Sequence, residues 1–321
     1  MTNLEAVPDK QTILDAESRI REYVHRTPVM RCRTLDDLVG SELHFKCENL
    51  QKIGAFKIRG ATNAILSLSD DEAKLGVATH SSGNHAQALA LAARNRGIKA
   101  TIVMPENAPG IKKSAVKGYG AEIIFCKPTT ADREQTLERY IQKSGAILIH
   151  PYNDYRIIAG QATAAKELME DMPDVADAIL APVGGGGLLS GTCLSARYFS
   201  SNTEVWGIEP AMADDAFRSF RDGFIHPSEN PATIADGLLT SLGDKTFPII
   251  KEHCTGILTV SEHAIRQSIR LIMERMKLVV EPSGAVTLAA LLEYPEQFKG
   301  KTIGLIISGG NVDITSIPQI L

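Results

Sequence analysis

The stretch Asn49-Leu50-Gln51-Lys52-Ile53-Gly54-Ala55-Phe56-Lys57-Ile58-Arg59-Gly60-Ala61 places one lysine between an aromatic residue and the apolar start of a predicted helix, Ile58 to Leu68. In apolar surroundings Lys57 loses solvation of its charged form, so we expect its pKa to fall. A neutral lysine amine can attack a carbonyl group and form a Schiff base. The alternative is a surface lysine at the start of a helix, which is the ordinary situation for a lysine. The choice between the two depends on the rest of the chain.

Three other stretches combine glycines with small polar residues: Ser81-Ser82-Gly83-Asn84-His85, Gly184-Gly185-Gly186-Gly187 and Ser308-Gly309-Gly310-Asn311. The second follows a predicted strand, Ile179 to Val183, and precedes a predicted helix, Leu188 to Phe199. Glycines there let backbone N–H groups approach a ligand, and a helix N-terminus favours an anion. Leu189 and Ser190 occupy the place of the third glycine of G-x-G-x-x-G, so a dinucleotide fold is disfavoured. The alternative is a flexible turn.

Taken with Lys57, these stretches resemble the fold-type II pyridoxal-phosphate (PLP) enzymes, the family of serine/threonine dehydratases and serine racemases. The four motifs occur in the family's order, and the resemblance runs from about Thr27 to Asp313. It implies a two-domain α/β protein of the tryptophan-synthase-β-like kind, with parallel sheets covered by helices and PLP between the domains. We expect such a protein to be a homodimer.

The resemblance also implies roles for single residues. Lys57 and Ser82 are the implied catalytic residues, on opposite faces of the cofactor. The implied cofactor-binding residues are Phe56, Lys57, Asn84, Gly184, Gly185, Gly186, Gly187, Leu188 and Ser308. The implied substrate-binding residues are Ser81, Ser82, Asn84, His85, Arg133 and Thr240. Two alternatives stay open: the serines and Asn84 cap a helix, and Ser308 belongs to a glycine-rich turn without a ligand.

Arg133 and Ser308 bear on which substrate is used. An arginine binds a carboxylate through two parallel hydrogen bonds, so Arg133 suits a second carboxylate such as that of 3-hydroxyaspartate. The alternative is a solvated arginine. Ser308 matches the family residue at the pyridine nitrogen, and its neutral hydroxyl stabilises a protonated ring less than a carboxylate would. This favours prompt loss of a β-substituent.

A second predicted ligand set is formed by Glu209, Ala213 and Asp215. Two carboxylates and a backbone carbonyl are hard oxygen ligands, which suit Mg²⁺ or Ca²⁺. Acidic residues at a helix start are also ordinary partners of the helix dipole. Resemblance to metal-activated serine racemases favours the metal, with Mg²⁺ first and Ca²⁺ or Mn²⁺ as alternatives.

Strands and helices alternate along the chain, which implies parallel sheets covered by helices. We predict a small α/β domain at residues 75–150, inserted into a large PLP-binding domain made of 1–74 and 151–321. Three further predicted elements are a helix from Ile13 to Val24, a strand from Ile147 to His150 and a helix from Glu262 to Met276.

Composition excludes several functional classes. The chain has 321 residues, 44% of them apolar and 22% charged, and a net charge of −4 that gives no sign of nucleic-acid binding. The polar N-terminus lacks the apolar core of a signal peptide, and no apolar run is long enough to span a membrane. The five cysteines are scattered without a C-x-x-C pair, so we expect reduced thiols and a cytoplasmic location.

Two departures from the family concern regulation. Leu321 follows Ser308 so closely that we expect no amino-acid-sensing domain and no feedback inhibition. Arg31-Cys32-Arg33 replaces the small hydroxyl residues of the nucleotide site in animal serine racemases, which argues against activation by ATP.

The resemblance implies a lyase that removes water and ammonia from L-serine or L-threonine to give a 2-oxo acid, with serine racemase activity. The first alternative is a 3-hydroxyaspartate dehydratase. The second is a PLP-binding or metabolite-sensing protein without turnover. Lys57 beside Ser82 argues against the second, because storage needs no second acid/base.

Overall fold

The structure is a computed structural model, and it describes residues 6–81, 83–108 and 110–321. Its strands, in chain order, are β1 (Val29–Met30), β2 (Glu42–Cys47), β3 (Val77–His80), β4 (Ala100–Pro105), β5 (Glu122–Cys126), β6 (Ile147–Leu148), β7 (Ala178–Pro182), β8 (Glu204–Pro210), β9 (Gly256–Val260) and β10 (Thr302–Ile307).

The helices are α1 (Lys10–Ile20), α2 (Arg33–Val39), α3 (Lys57–Leu66), α4 (Asp70–Leu75), α5 (Asn84–Arg96), α6 (Gly110–Gly118), α7 (Thr130–Ser144), α8 (Tyr155–Asp171), α9 (Gly187–Phe199), α10 (Asp215–Asp222), α11 (Thr246–His253), α12 (Glu262–Leu271), α13 (Pro282–Glu293), α14 (Pro295–Phe298) and α15 (Ile317–Ile320). Short 3-10 turns lie at Glu48–Leu50, Lys52–Gly54 and Ile314–Ser316, and a π-helical turn at Ile272–Met276 follows α12. Among the helices of the described residues, none is both long and apolar enough to cross a membrane.

Six strands form the larger sheet, in the order β1-β2-β10-β7-β8-β9, and only β1 runs antiparallel to its neighbour. Its central strands are buried on both faces, because α12 and α13 pack on one side and α1, α8, α9 and α11 on the other. Parallel strands end at one edge of their sheet. The chain therefore leaves β2, β7, β8 and β10 at that edge towards the stretches that begin at Glu48, Val183, Ala211 and Ser308.

Four parallel strands form the smaller sheet, in the order β5-β4-β3-β6. They lie between Val77 and Leu148, inside the stretch that the sequence predicts to be an inserted domain. α3, from the preceding segment, packs against α5 and gives Ile58 and Ala61 to the apolar core beside this sheet. The division into two domains therefore stays a prediction.

Three element boundaries differ from their prediction, and one long helix was missed. α1 covers Lys10–Ile20: it begins earlier than predicted because the Asp9 side chain caps its start, and it ends before Val24. β6 stops at Leu148, since the chain turns there into the His150–Asp154 segment. The helix predicted to Met276 changes to a π turn after Leu271. α8 is the longest of the described helices, and it is buried almost all round, including its polar residues Gln161, Lys166 and Glu167.

Candidate active site

Lys57 is the first residue of α3, and the loop before it is joined to the Ser308 stretch. The backbone N–H of Phe56 donates to the Ser308 carbonyl over 3.0 Å, and Ala55 forms an isolated antiparallel bridge with Gly309. Lys57 Nζ donates to the Pro151 carbonyl at 2.9 Å. Burial lowers the pKa of Lys57 to about 8, against the opposing charge of Glu281. The predicted fall in its pKa is therefore confirmed.

The glycine stretch connects β7 to α9 and has no room for side chains. A Cβ added to Gly185 would come within 2.3 Å of the Tyr152 ring, and Gly186 has a φ of +89° that favours glycine. The Thr246 hydroxyl donates to the Gly185 carbonyl at 2.8 Å, which holds that peptide from behind. Four N–H groups at a helix start lack intrahelical acceptors, so the start of α9 forms a cup of backbone donors.

A second helix start lies at the end of β3. α5 begins at Asn84, and its cap residue Gly83 offers no side chain to the first N–H groups. The Ser81 hydroxyl accepts from the Gly83 N–H at 3.3 Å, within the loop. Among the described residues, no side chain caps α5, so its first backbone N–H groups are open there. Ser82 lies outside the described residues.

His85 is buried on the first turn of α5, with Nε2 3.1 Å from the Ile149 carbonyl. Burial and the nearby charge of Lys57 hold its pKa well below the usual range. The ring is therefore neutral, and Nε2 carries the proton, because a carbonyl can only accept. We accordingly expect any carboxylate at this loop to be bound by backbone N–H groups and not by the imidazole.

Asn84 contacts two residues for which the sequence predicted no role. Its Nδ2 lies 2.9 and 3.2 Å from the two Glu281 oxygens, and its Oδ1 accepts from Asn311 Nδ2 at 2.9 Å. Burial raises the pKa of Glu281 to about 7. The only signal for Glu281 in the sequence is a carboxylate directly before the proline that starts α13, which also describes many ordinary helix starts.

Ser308 ends β10 and is buried, as expected for a residue at the carboxyl edge of the sheet. Its hydroxyl lies 3.5 Å from the Ser283 carbonyl, at the outer limit for a hydrogen bond. Its backbone bond to Phe56 ties it to the lysine loop. The hydroxyl is therefore weakly engaged and can turn to another partner.

The residues on either side of Pro151, His150 and Tyr152, form an aromatic wall. The His150 ring packs edge-on against Tyr152 with centroids 4.6 Å apart, and its Nδ1 accepts from the backbone N–H of Asn153 at 2.9 Å. Burial, above all, lowers the pKa of His150 to about 4. Burial likewise raises the pKa of the Tyr152 phenol, although its hydrogen bond with the Thr240 hydroxyl lowers it in part.

Arg133 lies on α7 beside this wall. Its charge adds to burial in lowering the pKa of His80, at the end of β3. Its Nε is buried and, among the described residues, has no hydrogen-bond partner. Since an unpaired buried donor is costly, the predicted role in binding an anion is physically reasonable.

Glu209, near the end of β8, and Asp215, the first residue of α10, form a separate buried pair. Glu209 accepts from the backbone N–H groups of Ala216 and Phe217 at 3.0 and 2.8 Å. Neither Asp215 oxygen has a hydrogen bond of normal geometry among the described residues, although the Ser228 hydroxyl is near enough to lower its pKa in part. Burial raises the pKa of Glu209 to about 9 and that of Asp215 to about 6.

Two buried carboxylates, of which Asp215 has both oxygens without a hydrogen-bond partner among the described residues, fit a cation. The backbone carbonyl of Ala213 belongs to the same turn, next to Asp214 at the start of α10. Among the described residues, no group of three or more His, Cys, Asp or Glu is arranged to hold a metal. A metal here would therefore depend on backbone and water oxygens as well.

Comparison with known proteins agrees with this geometry. Residues 20–309 match the family described as "Pyridoxal-phosphate dependent enzyme". A serine racemase of Dictyostelium discoideum is 51% identical over 96% of this chain and 96% of its own. A β-hydroxyaspartate dehydratase of Paracoccus denitrificans is 48% identical over 97% of this chain and 99% of its own. The crystal structure of a T.th. threonine deaminase aligns with a TM-score of 0.92 and 46% identity, covering 96% of this chain and 99% of that one.

Proposed function

We propose that this chain, which belongs to the family of pyridoxal-phosphate-dependent enzymes, removes water and ammonia from a β-hydroxy amino acid and also racemises serine. The relatives named above support this substrate class, since their names cover serine, threonine and 3-hydroxyaspartate. The observation that carries the proposal is the set of contacts around Lys57.

The residues fit PLP. The cup at Gly184–Gly187, with the N–H of Leu188, offers backbone donors to a phosphate, and Lys57 offers an amine that is partly neutral near pH 8. Phe56, Asn84 and Ser308 would lie along the ring. When bound, PLP supplies an electron sink for carbon acids. The binding and proton-transfer steps are carried out by residues of the protein.

The protein's own part is binding and proton transfer. Open N–H groups at the start of α5 bind the substrate carboxylate, and Ser81 shapes that loop. Lys57 takes the α-proton as a general base, for which a pKa of about 8 is well matched to neutral pH. The Pro151 carbonyl holds Nζ in place between proton transfers. The β-hydroxyl then leaves, and hydrolysis gives a 2-oxo acid and ammonia.

Lys57→Ala tests this assignment. We expect the variant to fold, to lose the visible absorbance of bound PLP and to release no ammonia from L-serine, L-threonine or the 3-hydroxyaspartate isomers. Lys52→Ala is the matched control, because Lys52 lies in the same loop without an ion-pair partner among the described residues. Unchanged absorbance in Lys57→Ala would show that another lysine carries the cofactor. Wild-type protein that binds PLP but neither releases ammonia from any substrate nor interconverts L- and D-serine would instead be a sensor.

Racemisation needs a second proton donor on the face opposite Lys57, and Ser82 remains our prediction for it. Ser82→Ala should abolish interconversion of L- and D-serine while leaving much of the elimination from L-serine. The measurement is the ratio of 2-oxo acid to inverted serine. A wild-type ratio in the variant would assign the second donor to another group.

We also propose that Glu209, Asp215 and the Ala213 carbonyl bind Mg²⁺, with Ca²⁺ or Mn²⁺ as substitutes. Both carboxylates are buried, and burial disfavours their charged forms, so a cation bound between them would stabilise those forms.

A homodimer is a further proposal, for which exposed Leu50 and Val279 on adjoining loops offer apolar contact. Sedimentation of the purified protein tests it.

A further inference from the structure

Asn311 joins three segments that are far apart in the sequence. Its Nδ2 donates to the Ile53 carbonyl at 2.7 Å and to Asn84 Oδ1 at 2.9 Å. Its backbone N–H donates to Glu281 at 3.1 Å. A single residue thus connects the loop before Lys57, the start of α5 and a buried carboxylate.

The loop that Asn311 holds is strained. Ile53 has φ 60° and ψ 9°, in the left-handed region that β-branched residues rarely adopt. Surrounding contacts must impose this conformation. Backbone bonds from Gly310 to Gly54 and from Phe56 to Ser308 fix the rest of the loop, and the Asn311 side chain fixes the strained residue itself.

Asn311 also decides which end of the Asn84 amide points where. Because Asn84 Oδ1 accepts from Asn311 while Nδ2 donates to Glu281, the amide cannot flip without losing both contacts. Nδ2 lies 2.9 and 3.2 Å from the two Glu281 oxygens, and these can share one of its two N–H groups, which leaves the other for a further acceptor. An aspartate at position 311 would offer no donor to either partner.

We propose that Asn311 is a positioning residue, which holds the loop that carries Lys57 and orients the Asn84 amide so that its free N–H faces the cofactor. This inference rests on the proposed function, because it takes PLP as the ligand of Lys57 and Asn84. Asn311 itself acts only through these two residues.

The test compares Asn311→Ala and Asn311→Asp with Asn63→Ala. Asn63 is a matched control, since its buried amide on α3 also makes two contacts, with the Arg156 carbonyl and with Arg19, but none with the cofactor loops. Apo-protein of each is titrated with PLP, followed by visible absorbance, and the pH dependence of that absorbance is recorded. Thermal unfolding of the apo-proteins reports any general loss of stability.

We expect PLP affinity to fall about tenfold in Asn311→Ala and further in Asn311→Asp, with a shifted pH dependence in both. We also expect kcat to fall about tenfold while KM for L-serine changes little, because the hydrogen bonds of Asn311 hold Ile53, Asn84 and Glu281 in position and are not needed to bind the substrate in this proposal. Asn63→Ala should lower thermal stability and leave PLP affinity and the pH dependence unchanged. If Asn311→Asp does not fold, Asn311→Ala decides, as it buries no new charge.

Wild-type affinity and pH dependence in Asn311→Ala would overturn the inference, and so would an equal loss in Asn63→Ala. Neither outcome contradicts the proposed function. That function fails only if Lys57→Ala keeps the absorbance of bound PLP or if no substrate releases ammonia.

Discussion

Single residues differ in how far the sequence reveals them. The lowered pKa of Lys57 could be predicted, because apolar neighbours disfavour the charged form of an amine. Burial in the structure lowers this pKa, as expected. Glu281 and Asn311 could not be predicted, because their importance arises from partners 197 and 258 positions away. Periodicity and local motifs report neighbours in sequence, whereas these contacts join distant segments; that of Asn311 with Ile53, for example, follows from the pairing of β10 with β2.

We predict that Arg133 decides between substrates. Its buried Nε has no hydrogen-bond partner among the described residues and lies beside the aromatic wall, so its charge suits a second carboxylate. Arg133→Ala should therefore lower kcat/KM for 3-hydroxyaspartate by about ten- to a hundredfold, since a hydrogen bond to a charged group contributes about 1.5 to 3 kcal/mol. The loss for L-serine should be small. Steady-state kinetics on both substrates measures the difference.

Arg139→Ala is the control for this experiment, because Arg139 lies on the same helix and contacts only Gln135 and Thr136 in the described structure. It should change neither value. Equal losses for both substrates in Arg133→Ala would mean that the arginine shapes the wall without binding the second carboxylate.

At the scale of elements, β7 of the larger sheet was predicted to within one residue at each end, because a parallel strand buried on both faces reads as a short apolar run. The glycine cup was predicted from its place between β7 and α9. What the sequence does not show is the support behind the cup, where α11 brings Thr246 to the Gly185 carbonyl.

Thr246→Val tests that support. The substitution keeps the shape of the side chain and removes the bond to Gly185, so the cup peptide gains freedom. We expect PLP to bind about three- to tenfold more weakly, in line with about 0.5 to 1.5 kcal/mol for one neutral hydrogen bond. Titration with PLP measures it. Thr203→Val, which loses a similar buried bond to the Ala176 carbonyl far from the cup, should leave PLP affinity unchanged. Equal weakening in both variants would argue against a local role.

At the scale of the whole molecule, stability should report the buried carboxylate pair. The folded-state pKa values of Glu209 and Asp215, about 9 and about 6, lie above their ordinary values of 4.5 and 3.8. Folding thus favours the protonated forms, and the stability they contribute is full at low pH and lost as the pH rises through these values. A cation that binds the charged forms should offset this loss.

Mg²⁺ should therefore raise the melting temperature more at pH 8.5 than at pH 6, because protons compete for the same oxygens. In Asp215→Asn the metal-free protein should melt a few degrees higher than wild type at pH 8.5, since one buried charge is gone, and the response to Mg²⁺ should vanish. Asp222→Asn, on the same helix, should do the opposite in metal-free protein: Arg221 and His226 lower the pKa of Asp222, so its charged form favours folding. Thermal unfolding of the wild type and of both variants, in chelator and in Mg²⁺ at both pH values, measures these effects. A wild-type melting temperature that does not change with Mg²⁺ at either pH value would contradict the metal site. Glu209 would then be only a cap for α10, and Asp215 a buried acid without a role in metal binding.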